Sequence, residues 1–122
     1  MGQHKAKLIW VDQITGDPKR TADFHSEVLG HDQVPCDEGD GYTSYSIADD
    51  EDERFGIVEE AVFPDWPGGW VLYFEADDFD ARVEKIKDLG GDILRLTPRQ
   101  CVFRDPSGAP VVLRSRAETV EC

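Results

Sequence analysis

Positive charge is the first thing this sequence is short of: 13 Lys and Arg stand against 26 Asp and Glu, a formal charge of −13. Nucleic-acid binding draws its affinity from neutralised phosphates, and such a chain repels them. Anionic membrane surfaces are disfavoured on the same ground. Long apolar runs are also missing; no stretch approaches the roughly 18 residues that a membrane span needs. The opening MGQHKAK has no apolar segment of the secretory kind, and its Met-Gly start lacks Ser or Thr at the sixth position, which argues against myristoylation. The three cysteines, Cys36, Cys101 and Cys122, are odd in number and fit no metal-knuckle or Cys-x-x-Cys spacing. They read as reduced thiols in a cytoplasmic protein. The three histidines, His4, His25 and His31, have no partner at His-x-His or His-x3-His spacing. The acid is scattered, with one dense patch at Asp49–Glu53. Scattered acid is a solvated surface, and a salt-adapted source would produce the same pattern.

What is present is a repeat. Sliding the chain by 60 residues lays Trp10–Asp32 over Trp70–Asp92 with six identities in 23 positions: Trp10/Trp70, Val11/Val71, Asp17/Asp77, Leu29/Leu89, Gly30/Gly90 and Asp32/Asp92. The order of features carries more weight than the count. Each copy reads as an aromatic-led apolar run, an acidic break, a helical stretch, Leu-Gly, and a new run. Two copies are too few for a solenoid and point to one pseudo-symmetric domain.

In chain order, residues 7–15 alternate as a half-buried strand, with Leu8, Trp10, Asp12 and Ile14 on one face. Asp17-Pro18 supplies an N-cap and a first helical residue. The helix runs to Leu29 with Ala22, His25, Val28 and Leu29 near one stripe and Phe24 beside it, and Gly30 stops it. Strands are expected at 31–36, 42–48 and 54–60, with Gly39-Asp40-Gly41 as a turn, and 63–69 is a Pro- and Gly-rich linker. The second copy expects a strand at 69–76 and a helix capped by Asp77-Asp78, with Phe79, Val83, Ile86 and Leu89 at helical spacing. Strands at 92–96, 100–104 and 111–114 follow, the last two joined by the turn Asp105-Pro106-Ser107-Gly108, and Arg116–Cys122 reads as a frayed tail.

These residues resemble the vicinal oxygen chelate superfamily, which contains glyoxalase I, extradiol dioxygenases and the fosfomycin- and bleomycin-resistance proteins. The likeness extends from Lys7 to Ser115. It is carried by Trp10-Val11-Asp12, Asp17-Pro18, Ala22–His25 and Val28–Gly30 in the first half. In the second half it is carried by Val71–Phe74, Asp77–Asp80, Leu89–Gly91 and, most specifically, Phe103–Gly108. The resemblance is strongest to the glyoxalase-like, bleomycin-resistance-related branch. It implies an α+β fold of two tandem βαβββ modules, about 7–62 and 69–115, forming a single 1–122 domain whose curved mixed sheets enclose a cleft.

In catalytic relatives the cleft holds a divalent metal on His, Gln or Glu ligands. By that resemblance the ligand positions here fall on Trp10, on Val71 (or Trp70 with a one-residue shift) and on Val112. Indole and isopropyl groups donate to no metal. The expectation is therefore a cofactor-free protein binding a small organic molecule, with Trp10, Asp12, Tyr45, Tyr73, Glu75, Val112 and Arg114 as ligand-binding residues and no metal ligand. A cleft walled by Trp and Tyr suits a flat or cationic molecule. The alternative is a metal-dependent lyase, isomerase or dioxygenase with ligands drawn from Asp12, Glu59, Glu75 and His25, and a third is a partner-binding module whose cavity has filled in. Plainer roles compete for the same side chains: Asp12 paired with an arginine such as Arg114, His25 packed on its helix, Cys101 a quiet buried thiol. Related single-domain proteins imply a homodimer in which Trp10 and Asp12 of one chain face Tyr73 and Val112 of its partner.

Overall fold

The computed structural model describes residues 5–37, 43–59 and 69–116. The expected turn at 39–41, Tyr42, most of the 63–69 linker with Trp66, His4 and the tail from 117 lie outside the described residues. The elements run β1 (Lys7–Thr15), α1 (Pro18–Leu29), β2 (Asp32–Asp37), β3 (Thr43–Ala48) and β4 (Glu53–Glu59). Then come β5 (Gly69–Ala76), α2 (Phe79–Asp88), β6 (Asp92–Leu96), β7 (Gln100–Arg104) and β8 (Pro110–Ser115). Each half is βαβββ, as the repeat implied. The chain divides into two compact units, one of Trp10–Trp70 and one from Val71 onward that includes the start of β1 up to Ile9.

In the N-terminal unit the strand order is β2-β3-β4-β1, antiparallel throughout except that β1 runs parallel to β4 with Asp12 opposite Gly56. Helix α1 forms because Asp17 accepts from the Arg20 amide at 3.2 Å, Pro18 occupies the first turn, and Gly30 closes the end at φ 70°. The helix packs Ala22 onto Ile47 and Ile57, all three fully buried, with Tyr45 and Phe55 beside them. Burial of each isoleucine stabilises this layer by roughly 1.5–3 kcal/mol. The expected stripe is narrower than drawn: Val28 and Leu29 are 63% and 47% exposed. Val28 lies about 120° around the helix from Ala22, and Leu29 sits at the helix end.

The C-terminal unit repeats the plan as β5-β8-β7-β6, with β5 parallel to β8. Phe79 and Val83 of α2 pack on Ala76, Cys101 and Leu113, and Ala6 joins from the start of β1. Leu89, the last residue of the expected stripe, is 78% exposed. Asp78 is the N-cap residue, but its carboxylate is drawn to Arg82 Nε at 2.6 Å and makes no capping bond. The β7–β8 turn is tied by Asp105, whose Oδ1 accepts from the Ser107 hydroxyl at 2.6 Å and from the Ser107 and Ala109 amides. Those bonds, the Ser107 hydroxyl foremost, hold its carboxyl below the ordinary aspartate value. Gly108 supplies the φ of 89° that the turn requires.

The 60-residue register needs one correction. Asp17 caps α1 and Asp78 caps α2, and β1 and β5 end at Thr15 and Ala76. Both pairs lie one residue beyond that offset, while Gly30 and Gly90 keep it, because α2 is shorter than α1. A one-residue slip turns every strand side chain to the other face. Trp10 therefore corresponds to Val71, not to Trp70. Trp70 stands instead on the α1 side, its ring 5.9 Å from His25 and 5.2 Å from Phe55.

Cys101 is free and fully buried, and burial raises its thiol above the ordinary value. Cys36 is disulfide-bonded, so the expectation of three reduced thiols fails there.

Candidate functional site

Each sheet has a face covered by its helix and a face turned away from it, and strand alternation decides which residues share the second. In the N-terminal unit, Gln13, Tyr45, Ile57 and Glu59 alternate onto the α1 side, whereas Trp10, Asp12, Ser44, Ser46 and Gly56 alternate onto the other. Trp10 Nε1 donates to Asp12 Oδ1 at 2.6 Å, a short charge-assisted bond. The pair lies over Gly56. A methyl group on Gly56 would collide with the Asp12 carboxylate and stand 2.9 Å from Trp10 Nε1. The missing side chain at position 56 is thus what lets a carboxylate that is only 7% exposed lie flat on the sheet. Gly56 was not singled out in the sequence, though a lone glycine inside an apolar strand pattern signals close approach of another group.

Tyr45 does not join this pair. It sits on the α1 side, packed against the Ile47–Ile57 layer with the Lys19 ammonium 5.8 Å above its ring. His25 is on that side too. Its Nε2 contacts Gln13 Oε1 at 2.7 Å, and its ring meets Phe24, Phe55 and Trp70. Asp12 therefore faces away from both His25 and Glu59, so those three cannot converge on one ion.

In the C-terminal unit the face away from α2 is built in two rows. Tyr73, Val112 and Val102 lie side by side across β5, β8 and β7, and they are 3%, 0% and 2% exposed. Beside them, Glu75, Arg114 and Gln100 form a half-buried polar row across the same strands. The Arg114 guanidinium lies over the Tyr73 ring at 4.7 Å. The structure thus places Tyr73, Glu75, Val112 and Arg114 on one face of this unit. Val112, with no exposed surface, serves as a floor for its neighbours and not as a contact for a ligand. A separate depression of about 240 Å³ opens at the start of α2, lined by Asp77, Asp78, Phe79, Asp80, Ala81, Pro98 and Ser115. None of the residues named from the sequence as ligand contacts lines it.

A family profile described as a glyoxalase-like domain matches residues 9–113. The chain belongs to the glyoxalase-like domain family. Among curated proteins this glyoxalase-like domain is 32% identical to the anthracycline biosynthesis protein DauV of Streptomyces sp. (strain C5), over 82% of the chain and 43% of the relative. It spans under half the length of the curated relatives it matches. Among solved structures, the hypothetical protein BH1468 from Bacillus halodurans C-125 aligns with a TM-score of 0.64 at 14% identity, covering 98% of this chain and 100% of that one. Methylmalonyl-CoA epimerase of Streptomyces coelicolor aligns at 0.60 and 18% identity, covering 93% and 100%. At such identities the likeness shows the fold alone.

The metal of the superfamily's catalytic members does not fit the residues that stand at its ligand positions by resemblance. The structurally equivalent positions Trp10 and Val71, and Val112 on the last strand, carry no donor atom suited to a divalent ion. Among the described residues, no three His, Cys, Asp or Glu side chains group as a ligand set. No helix among them is long and apolar enough to cross a membrane.

Proposed function

We propose that this glyoxalase-like domain is a small-molecule-binding protein that works without the chelated metal of its catalytic relatives. The carrying observation is the Trp10–Asp12 pair over Gly56. An indole stands where a metal ligand would, and the neighbouring carboxylate accepts a 2.6 Å bond from it. A carboxylate held this way has an oxygen committed to the indole N–H, and the half-buried indole is left to offer aromatic surface to a ligand. The relative's name directs the choice of ligand class: a planar polycyclic aromatic of the anthracycline kind, for which aromatic surface is the natural partner.

The same reading takes the chain as one domain of two modules acting as a two-fold homodimer. Trp10 and Asp12 of one protomer contact the ligand together with the Glu75–Arg114 row of its partner, and Tyr73 and Val112 flank that row on the same face. The test is a ligand titration of the purified protein with daunorubicin, read by tryptophan quenching, alongside elemental analysis. Saturable micromolar binding at substoichiometric zinc, nickel, manganese and iron is the expected result. Binding that appears only after one of these ions is added would overturn the metal-free reading and favour the enzyme.

A further inference from the structure

We propose that the half-buried polar row of the C-terminal unit is an anion-recognition subsite in which Arg114 takes the carboxylate of an organic ligand. The inference deepens the small-molecule reading above and rests on it. Its starting point is an imbalance. Acidic residues outnumber Lys and Arg by 26 to 13, and four other arginines spend their charge on a carboxylate: Arg54 on Asp49, Arg82 on Asp78, Arg104 on Asp92 and Arg116 on Asp77. Arg114 does not. Its recorded partner is the Tyr73 ring, 4.7 Å from the guanidinium carbon, and no carboxylate among the described residues lies within ion-pair distance of it. Even Glu75, its register neighbour on β5, closes no ion pair with it.

The placement explains why such a group suits an oxyanion. The guanidinium carbon lies 4.7 Å over the ring of Tyr73, a residue only 3% exposed, and a contact of that kind uses none of its N–H donors. The fork is thus held near the ring with its donors uncommitted, and a planar carboxylate matches it with two parallel hydrogen bonds. Gln100, opposite Arg114 on β7, adds an amide donor on the same face. The fully buried Val112 and Val102 form the adjoining row on the same face and flank the polar row with apolar surface. Glu75 sets the selectivity. Its charge weakens any anion bound alongside, so the subsite favours a ligand with one compact carboxylate over a polyanion, which the −13 chain also repels.

The experiment is a titration of the full 15N-labelled chain with benzoate, its neutral isostere benzamide and the cation benzylamine, following the Arg114 Nε–H signal. Benzoate should shift that signal saturably and bind at least tenfold more tightly than either of the others, with affinity falling as salt rises. Arg114→Gln should lose at least tenfold in benzoate affinity, and Glu75→Gln should gain several-fold. Circular dichroism checks that Arg114→Gln is folded. If it is not, Arg114→Lys keeps the charge without the fork and should still weaken benzoate severalfold. Equal binding of benzoate and benzamide, or benzoate binding unchanged by both Arg114 variants, would overturn the subsite. Tryptophan quenching by neutral 9,10-anthraquinone separates the two levels: binding that persists while benzoate fails refutes the subsite alone, and failure of both refutes the small-molecule reading with it.

Discussion

Gly56→Ala is the substitution that most sharply tests the arrangement at Trp10 and Asp12. On an exposed strand it would stabilise by roughly 0.4–1 kcal/mol through the unfolded chain, since Gly56 has no positive φ to protect. Here the added methyl would run into the Asp12 carboxylate and lie 2.9 Å from Trp10 Nε1 and 3.2 Å from Trp10 Cζ2. Overpacking of this kind costs about 1–3 kcal/mol, and losing the 2.6 Å charge-assisted bond adds about 1.5–3 kcal/mol where the side chains cannot both shift. The net expectation is a loss of about 2–4 kcal/mol, enough to lower the melting temperature by roughly 8–15 °C in a domain of this size. Urea denaturation followed by tryptophan fluorescence measures it directly. The decisive comparison is the double-mutant cycle with Asp12→Ala, where the nearest obstructing oxygen is gone and Gly56→Ala should cost clearly less, the remainder coming from the Trp10 ring. A Gly56→Ala protein as stable as wild type with Asp12 in place would refute the packing argument.

Three further outcomes are expected. Asp105→Asn should lower stability at pH 7 through its turn bonds. Because the folded carboxyl lies below its unfolded value, that contribution is present above about pH 4 and is lost as pH falls through the folded value, so the two melting curves should converge in acid. Val83→Ala, at a position only 4% exposed against Cys101 and Leu113, should cost about 2 kcal/mol in chemical denaturation, and a cost below about 0.5 kcal/mol would show the α2 layer to be loosely packed. Light scattering after size exclusion should give twice the 13.7 kDa chain mass at micromolar concentration, with an interface above the roughly 1,600 Å² of a standard contact; a monomer would end the shared-site proposal.

Element types and most boundaries were legible because they rest on local rules. The Asp17-Pro18 cap, the Gly30 stop and the Asp105–Gly108 turn are each written within a few residues and folded as read. The repeat by itself announces two βαβββ modules, and the same residues point to the family. That the indole of Trp10 and the isopropyl group of Val112 offer no metal donor is a matter of side-chain chemistry alone.

Facing was not legible. The identities Trp10/Trp70 and Val11/Val71 favoured a 60-residue register, but the shorter α2 moves the strand correspondence by one, and in a strand one residue is the difference between two faces. Tyr45 and Tyr73 look alike in sequence, yet one lies under α1 and the other under Arg114. The clearance at Gly56 depends on β4 lying parallel beside β1 with Asp12 opposite Gly56, a pairing of residues 44 positions apart. Composition, caps and the missing ligands were fixed by the amino-acid sequence itself. Which side chains share a face, and hence which of them can meet a ligand together, was decided by strand register, because register is set by contacts between segments that the chain order does not bring together.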